Sequence, residues 1–132
     1  MKPFKTYKPA GTKEPYGTYV HALEVPAGAR TIYISGQIPV APDGTVPKTM
    51  TEQARICWGN IESILQEAGL TTAHLVQVSM YLTDRSLYQE ADSVSAEFLK
   101  NHRTAAACYE VSSLIEDDWL IEVDAIAAVV DE

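Results

Sequence analysis

Apolar and polar positions alternate along residues 31–39 (TIYISGQIP). Ile32 and Ile34 share one face and Thr31, Tyr33 and Ser35 the other, which is the period of a half-buried strand. Gly36 interrupts that run beside Gln37. A glycine at a strand end opens a bulge, admits another group close to the backbone, or only bends the chain, and the local pattern leaves all three open. Upstream, Tyr19, His21 and Leu23 or Val25 mark a short strand over 19–25. The turn chemistry of 26–29 (PAGA) then predicts an N-terminal hairpin with the 31–39 strand. Residues 1–15 mix Lys, Pro, Thr and Gly without periodicity and are expected to form an extended arm.

Past the PDG turn at 42–44, Thr49 and Glu52 have the spacing of a capping box. Met50, Ala54, Cys57, Ile61, Ile64, Leu65 and Ala68 then recur at three- and four-residue steps up to Gly69, which is a helix with one apolar stripe. Residues 75–83 return to alternation, Val76, Val78, Met80 and Leu82 against Gln77, Ser79, Tyr81 and Thr83. Ser86 and Gln89 repeat the capping spacing ahead of a second amphipathic helix that carries Leu87, Ala91, Val94, Ser95, Phe98 and Leu99 and ends near Asn101. Two more strands, 105–111 and 119–130, flank the acidic link Glu116, Asp117 and Asp118. The order β-β-α-β-α-β-β predicts an α+β fold, a mixed sheet with both helices packed on one face. The other face then carries Tyr33, Trp119, Leu120 or Ile121, and Val123 or Ile126. That set is too apolar for water, so a partner subunit should cover it and a homo-oligomer is expected.

Composition bounds the rest. The chain of 132 residues is 46% hydrophobic and 21% charged, enough for one core and one domain. A net charge of −8 argues against a nucleic-acid partner, because phosphate-backbone binding is supplied by Lys and Arg. The first residues lack the apolar core of a signal peptide and no run approaches a membrane span, so a cytoplasmic protein with no membrane partner is expected. Cys57 and Cys108 are too few for a disulfide framework and are read as reduced thiols, Cys57 as core. His21, His74 and His102 have no ligand spacing, Gly11 to Lys13 lacks the phosphate-loop pattern, and no Ser-His-Asp order is present, so neither a metal nor another cofactor is expected.

Four stretches of this sequence together resemble the RidA (YjgF/YER057c-type) reactive-intermediate deaminase family: SGQIP at 35–39, GTYVHA at 17–22, the AR…N…ILQEAGL helix at 54–70, and VSSL…LIEVDAIA at 111–127. The resemblance covers nearly the whole chain beyond the arm. It implies a single RidA-like domain over 1–132, a chorismate-mutase-like fold, a homotrimer with a barrel-like centre, and small-molecule pockets between subunits. By the same resemblance Tyr19 matches the tyrosine of the N-terminal strand, Ser35 and Gly36 the strand-end pair, and Glu122 the carboxylate that positions the attacking water. The arginine that grips the substrate carboxylate in deaminating members falls at position 106, five residues before Val111, and this chain has Ala106. Cys108 and Glu110 match residues of that same strand, which supports the register. Arg103 is the nearby guanidinium that could swing toward the same space, and Asp92 stands where the family often has an asparagine.

Hydrolysing an imine or enamine requires a group that takes a proton from water and donors that hold the substrate. Glu122 suits the first role if it faces a pocket; an edge-strand glutamate in water is the competing reading. Holding a carboxylate substrate normally takes a guanidinium, whose planar fork matches two oxygens, and Ala106 cannot supply one. Two functions are therefore expected as alternatives: hydrolysis of reactive imines or enamines to carbonyl compounds and ammonia, or a trimeric ligand-binding module that has lost the chemistry. The name endoribonuclease, which some relatives carry, conflicts with the acidic balance.

Overall fold

Residues 4–131 are described by a computed structural model. Three runs with strand periodicity become the long strands of one sheet: β3 (Arg30–Gln37), β4 (Leu75–Leu82) and β6 (Ile121–Val129), joined by the shorter β5 (Ala105–Glu110). Its order is β3-β6-β4-β5, with β6 antiparallel to both neighbours and β4 parallel to β5. A parallel pair needs a crossover, and α2 (Tyr88–Leu99) supplies it between β4 and β5. The first helix, α1 (Met50–Glu67), begins as its sequence predicts: Thr49 accepts from the Glu52 amide at 3.2 Å and donates its hydroxyl to the Glu52 carboxylate at 2.9 Å.

Both helices pack on one face of the sheet, the α+β layering expected. Ala54, Cys57, Trp58, Ile61 and Leu65 of α1 and Ala91 and Val94 of α2 meet Ile34, Val78, Met80, Leu82, Ile121, Val123, Ala125 and Ala127 from the strands, all buried. Each fully buried large side chain contributes about 1.5–3 kcal/mol, so this interlayer is the main source of stability. It also settles the sheet's two sides. Ile121 and Val123 turn toward the helices, while Tyr33, Ile126, Glu122 and Asp124 alternate onto the open side. That open face is more polar than the sequence suggests: Tyr81 donates to Asp124 at 2.7 Å and stacks on Tyr109 with ring centroids 5.7 Å apart.

Two local expectations are corrected. The segment Ala22–Glu24 (β2) pairs not with β3 but with Lys5–Tyr7 (β1), inside the N-terminal arm, as a separate two-stranded ribbon. β3 pairs along one edge with the longer alternating run of β6, a non-local partner that local turn chemistry cannot reveal, and its other edge stays unpaired in the sheet while β2 joins β1. Tyr19 lies in the loop before β2. At the second helix, Ser86 does not cap: Asp84 accepts from the Ser86 amide and hydroxyl at 2.9 and 2.6 Å, capping a short 3-10 turn (Arg85–Leu87), and α2 starts at Tyr88 with no side-chain cap. No described helix is long and apolar enough to cross a membrane.

Candidate functional site

Strand β5 is an edge strand; on the side facing α2 it offers at its end Glu110, whose carboxylate accepts from the Arg85 amide at 2.8 Å, and otherwise the small groups Ala106 and Cys108. The space they leave under the helix is a cavity of about 250 Å³. Its walls are Val78 and Met80 of β4, Tyr88, Asp92, Ser95 and Leu99 of α2, Trp58 of α1, Thr104 and residues 106–108 on the β5 side, and residues 17–19. The Val20 amide donates to the Thr104 carbonyl at 3.0 Å, which ties the 17–19 loop to the start of β5 and places Tyr19 at the cavity. Trp58 is fully buried and stacks on Phe98 at 6.0 Å between centroids.

Asp92 is the one carboxylate among these walls, and none of the described lining residues is Lys, Arg or His. The Tyr88 hydroxyl sits 3.5 Å from its Oδ1. Burial, with the Asp92 charge beside it, pushes the Tyr88 phenol up from its ordinary value, and the same two causes in the same order push up the Cys108 thiol. Cys108 is therefore a protonated thiol at neutral pH, not a ready nucleophile.

The remaining expected site residues lie elsewhere. Pairing between β3 and β6 slips between Ile34 and Gln37, so Ser35 and Gly36 form the irregularity that the glycine allowed for. Glu122 of β6 packs against Gly36 so closely that a Cβ there would overlap its carboxylate and lie 2.9 Å from its Cδ. Gly36 has no left-handed φ, so the glycine serves space, not conformation. Glu122 lies on the open side of the sheet and Ala106 and Cys108 on the helix side. β3 and β5 are opposite edges, three spacings of roughly 4.8 Å apart. Within one chain the candidates thus fall into two separate groups: Tyr19, Ala106 and Cys108 with Asp92, and Ser35, Gly36 and Glu122. Arg103 joins neither. It is exposed and lines a different recess, with Phe4, Thr6 and Leu23 of the N-terminal ribbon beside Ala73, Asn101 and His102. Trp58, Tyr88 and Thr104 were not legible as wall residues, although Trp58 sits four residues after Ala54 on the helical stripe. No group of His, Cys, Asp and Glu suited to a metal ion occurs among the described residues.

A family model described as endoribonuclease L-PSP matches residues 11–129. The chain belongs to that family. Among its relatives, a RutC family protein of Pyrococcus abyssi is 35% identical over 116 residues, covering 86% of this chain and 88% of its own. TdcF of Escherichia coli, named a reactive intermediate deaminase, is 30% identical over 115 residues, covering 84% and 86%. A crystal structure of TdcF with bound serine matches with TM-score 0.71 at 28% identity, covering 98% of this chain and 99% of that one. YyfB of Yersinia pestis, a Rid family protein, shares the fold at TM-score 0.82 and 22% identity, covering 97% and 100%. The RidA/YjgF resemblance read from SGQIP, EAGL and EVDAIA is thus that of the family itself.

Proposed function

We propose that this protein hydrolyses small reactive imines or enamines, at sites completed between the subunits of a homotrimer. The observation that carries this reading is the seating of Glu122: its carboxylate rests on the bare backbone of Gly36, at a strand irregularity beside Ser35. Such a carboxylate takes a proton from water as the water oxygen adds to the C=N carbon. The carbinolamine then expels ammonia, so that a protonated imine and water give a carbonyl compound and ammonium, with every proton and the single positive charge accounted for. The family relationship to a protein named a reactive intermediate deaminase supports the reaction class. The trimer is supported by the split of the candidates between opposite sheet edges, since a second copy bringing its β3 edge toward the β5 cavity would join the two halves.

The test is ammonia release from imines generated in situ by an amine oxidase, with wild type and Glu122→Gln. The isosteric amide should lower turnover by about 10²–10⁴-fold while leaving assembly mass and melting temperature nearly unchanged. Unchanged turnover, or unfolding of the variant, would make Glu122 a structural carboxylate. The cavity's lack of a cationic wall residue favours one second reading, a ligand-binding module without chemistry. Ligand binding with no turnover on any imine would select it. Endoribonuclease activity gains no support from a chain of net charge −8.

A further inference from the structure

The cavity under α2 holds a half-buried carboxylate that nothing cationic answers. Among the described residues the side chain of Asp92 meets only the Tyr88 hydroxyl, at the long distance of 3.5 Å, and takes part in no salt bridge. Around it the surface is apolar and aromatic, with Met80 and the Tyr19 and Tyr88 rings over the buried Trp58, and Ala106 leaves the strand side open. A carboxylate on a cavity wall with no counter-charge beside it attracts a ligand that brings the opposite charge. Electron-rich ring faces add to the attraction for a cation, and the net charge of −8 raises the local concentration of cationic solutes.

We propose that this cavity selects positively charged ligands, a protonated amine or iminium on a compact apolar or aromatic body, with the nitrogen held at Asp92 and the body against Met80 and the Tyr19 and Tyr88 rings. This rests on the functional reading above and names its substrate class: cationic imines in place of imino acids. A carboxylate-bearing ligand would face Asp92 with no counter-charge. Tyr88 and Cys108, both held protonated at neutral pH, add no negative charge of their own, so within this cavity the charge that selects is that of Asp92.

Titration calorimetry at pH 7 with benzylamine, benzyl alcohol and benzoate separates charge from shape. Wild type should bind benzylammonium about tenfold tighter than benzyl alcohol and should not bind benzoate. Asp92→Asn should abolish the preference for the amine, and Ala106→Arg, which places a cation in the cavity, should shift preference to benzoate. Equal binding of benzoate and benzylamine by wild type, no binding of any of the three, or unchanged amine affinity in folded Asp92→Asn would each overturn the proposal. Glu122→Gln keeps the two readings apart, because it should lose turnover while the preference for benzylamine over benzoate, set by Asp92, persists. Cation preference without turnover removes the hydrolase and leaves this inference standing, and turnover without cation preference does the reverse.

Discussion

At position 36 a hydrogen stands where any other residue would carry a carbon, and the Glu122 carboxylate occupies the space. Gly36→Ala is compatible with the backbone, and the group it would strike is the end of a flexible side chain. The expected outcome is a folded protein, changed in stability by no more than about 1 kcal/mol, whose Glu122 has swung away and whose imine turnover falls nearly as far as in Glu122→Gln. Full activity in Gly36→Ala would show that the seat of Glu122 does not matter. Cys57 gives a second reading at this scale. It is fully buried on α1, and burial first, then the Glu122 charge, pushes its thiol from 9.0 up to about 12. A raised folded-state pKa means that the native state binds more protons than the unfolded chain between pH 9 and 12. The contribution is complete below 9 and is lost as pH rises through 12, at ~1.4 kcal/mol per unit. Denaturant midpoints measured from pH 8 to 11 should fall more steeply for wild type than for Cys57→Ala, and parallel curves would refute the assignment.

Helix α1 shows what a sequence discloses about an element and what it withholds. Its Thr49 cap, its stripe and its end are local relations, three or four residues apart, and all are present in the structure. Gln53 is not of that kind. One turn into the helix it is buried, its Nε2 donating to the Pro47 and Asp118 carbonyls at 2.8 Å each and its Oε1 accepting from the Leu120 amide at 2.7 Å. It joins the entry to α1 to the entry to β6 across 67 residues, and no periodicity marks it. Gln53→Ala should cost about 3 kcal/mol in chemical denaturation, because three buried backbone partners are left unmet; a cost under about 1 kcal/mol would mean that water replaces the amide. The same distinction explains the strands. Alternation told which residues share a face, but not that the helices cover the face of Ile121 and Val123, nor that β3 takes β6 and not β2 as its partner. Ala106 and Glu122 are expected in one pocket between subunits, and within one chain strand order and parity put them on opposite sides of the sheet.

The whole chain carries unmatched edges. β3 and β5 each leave one side of their ladder unpaired in the four-stranded sheet, and each edge carries half of the candidate site. Cyclic closure joins such halves with one repeated contact, and light scattering should then return three times the 14.5 kDa chain mass. A stronger test uses chains with complementary defects. Glu122→Gln removes the carboxylate half, and Ala106→Trp fills the cavity half, so either protein alone should be nearly inactive toward imines. If each site draws Glu122 from one chain and the cavity from its neighbour, unfolding and refolding an equal mixture should make roughly a quarter of the sites intact. Activity would return to about that fraction of wild type, while the same two proteins folded separately and then mixed would stay inactive until they exchange subunits. If a single chain holds the whole site, every chain in the mixture carries a defect and refolding together recovers nothing, which would overturn both the shared site and the case for a trimer built on it.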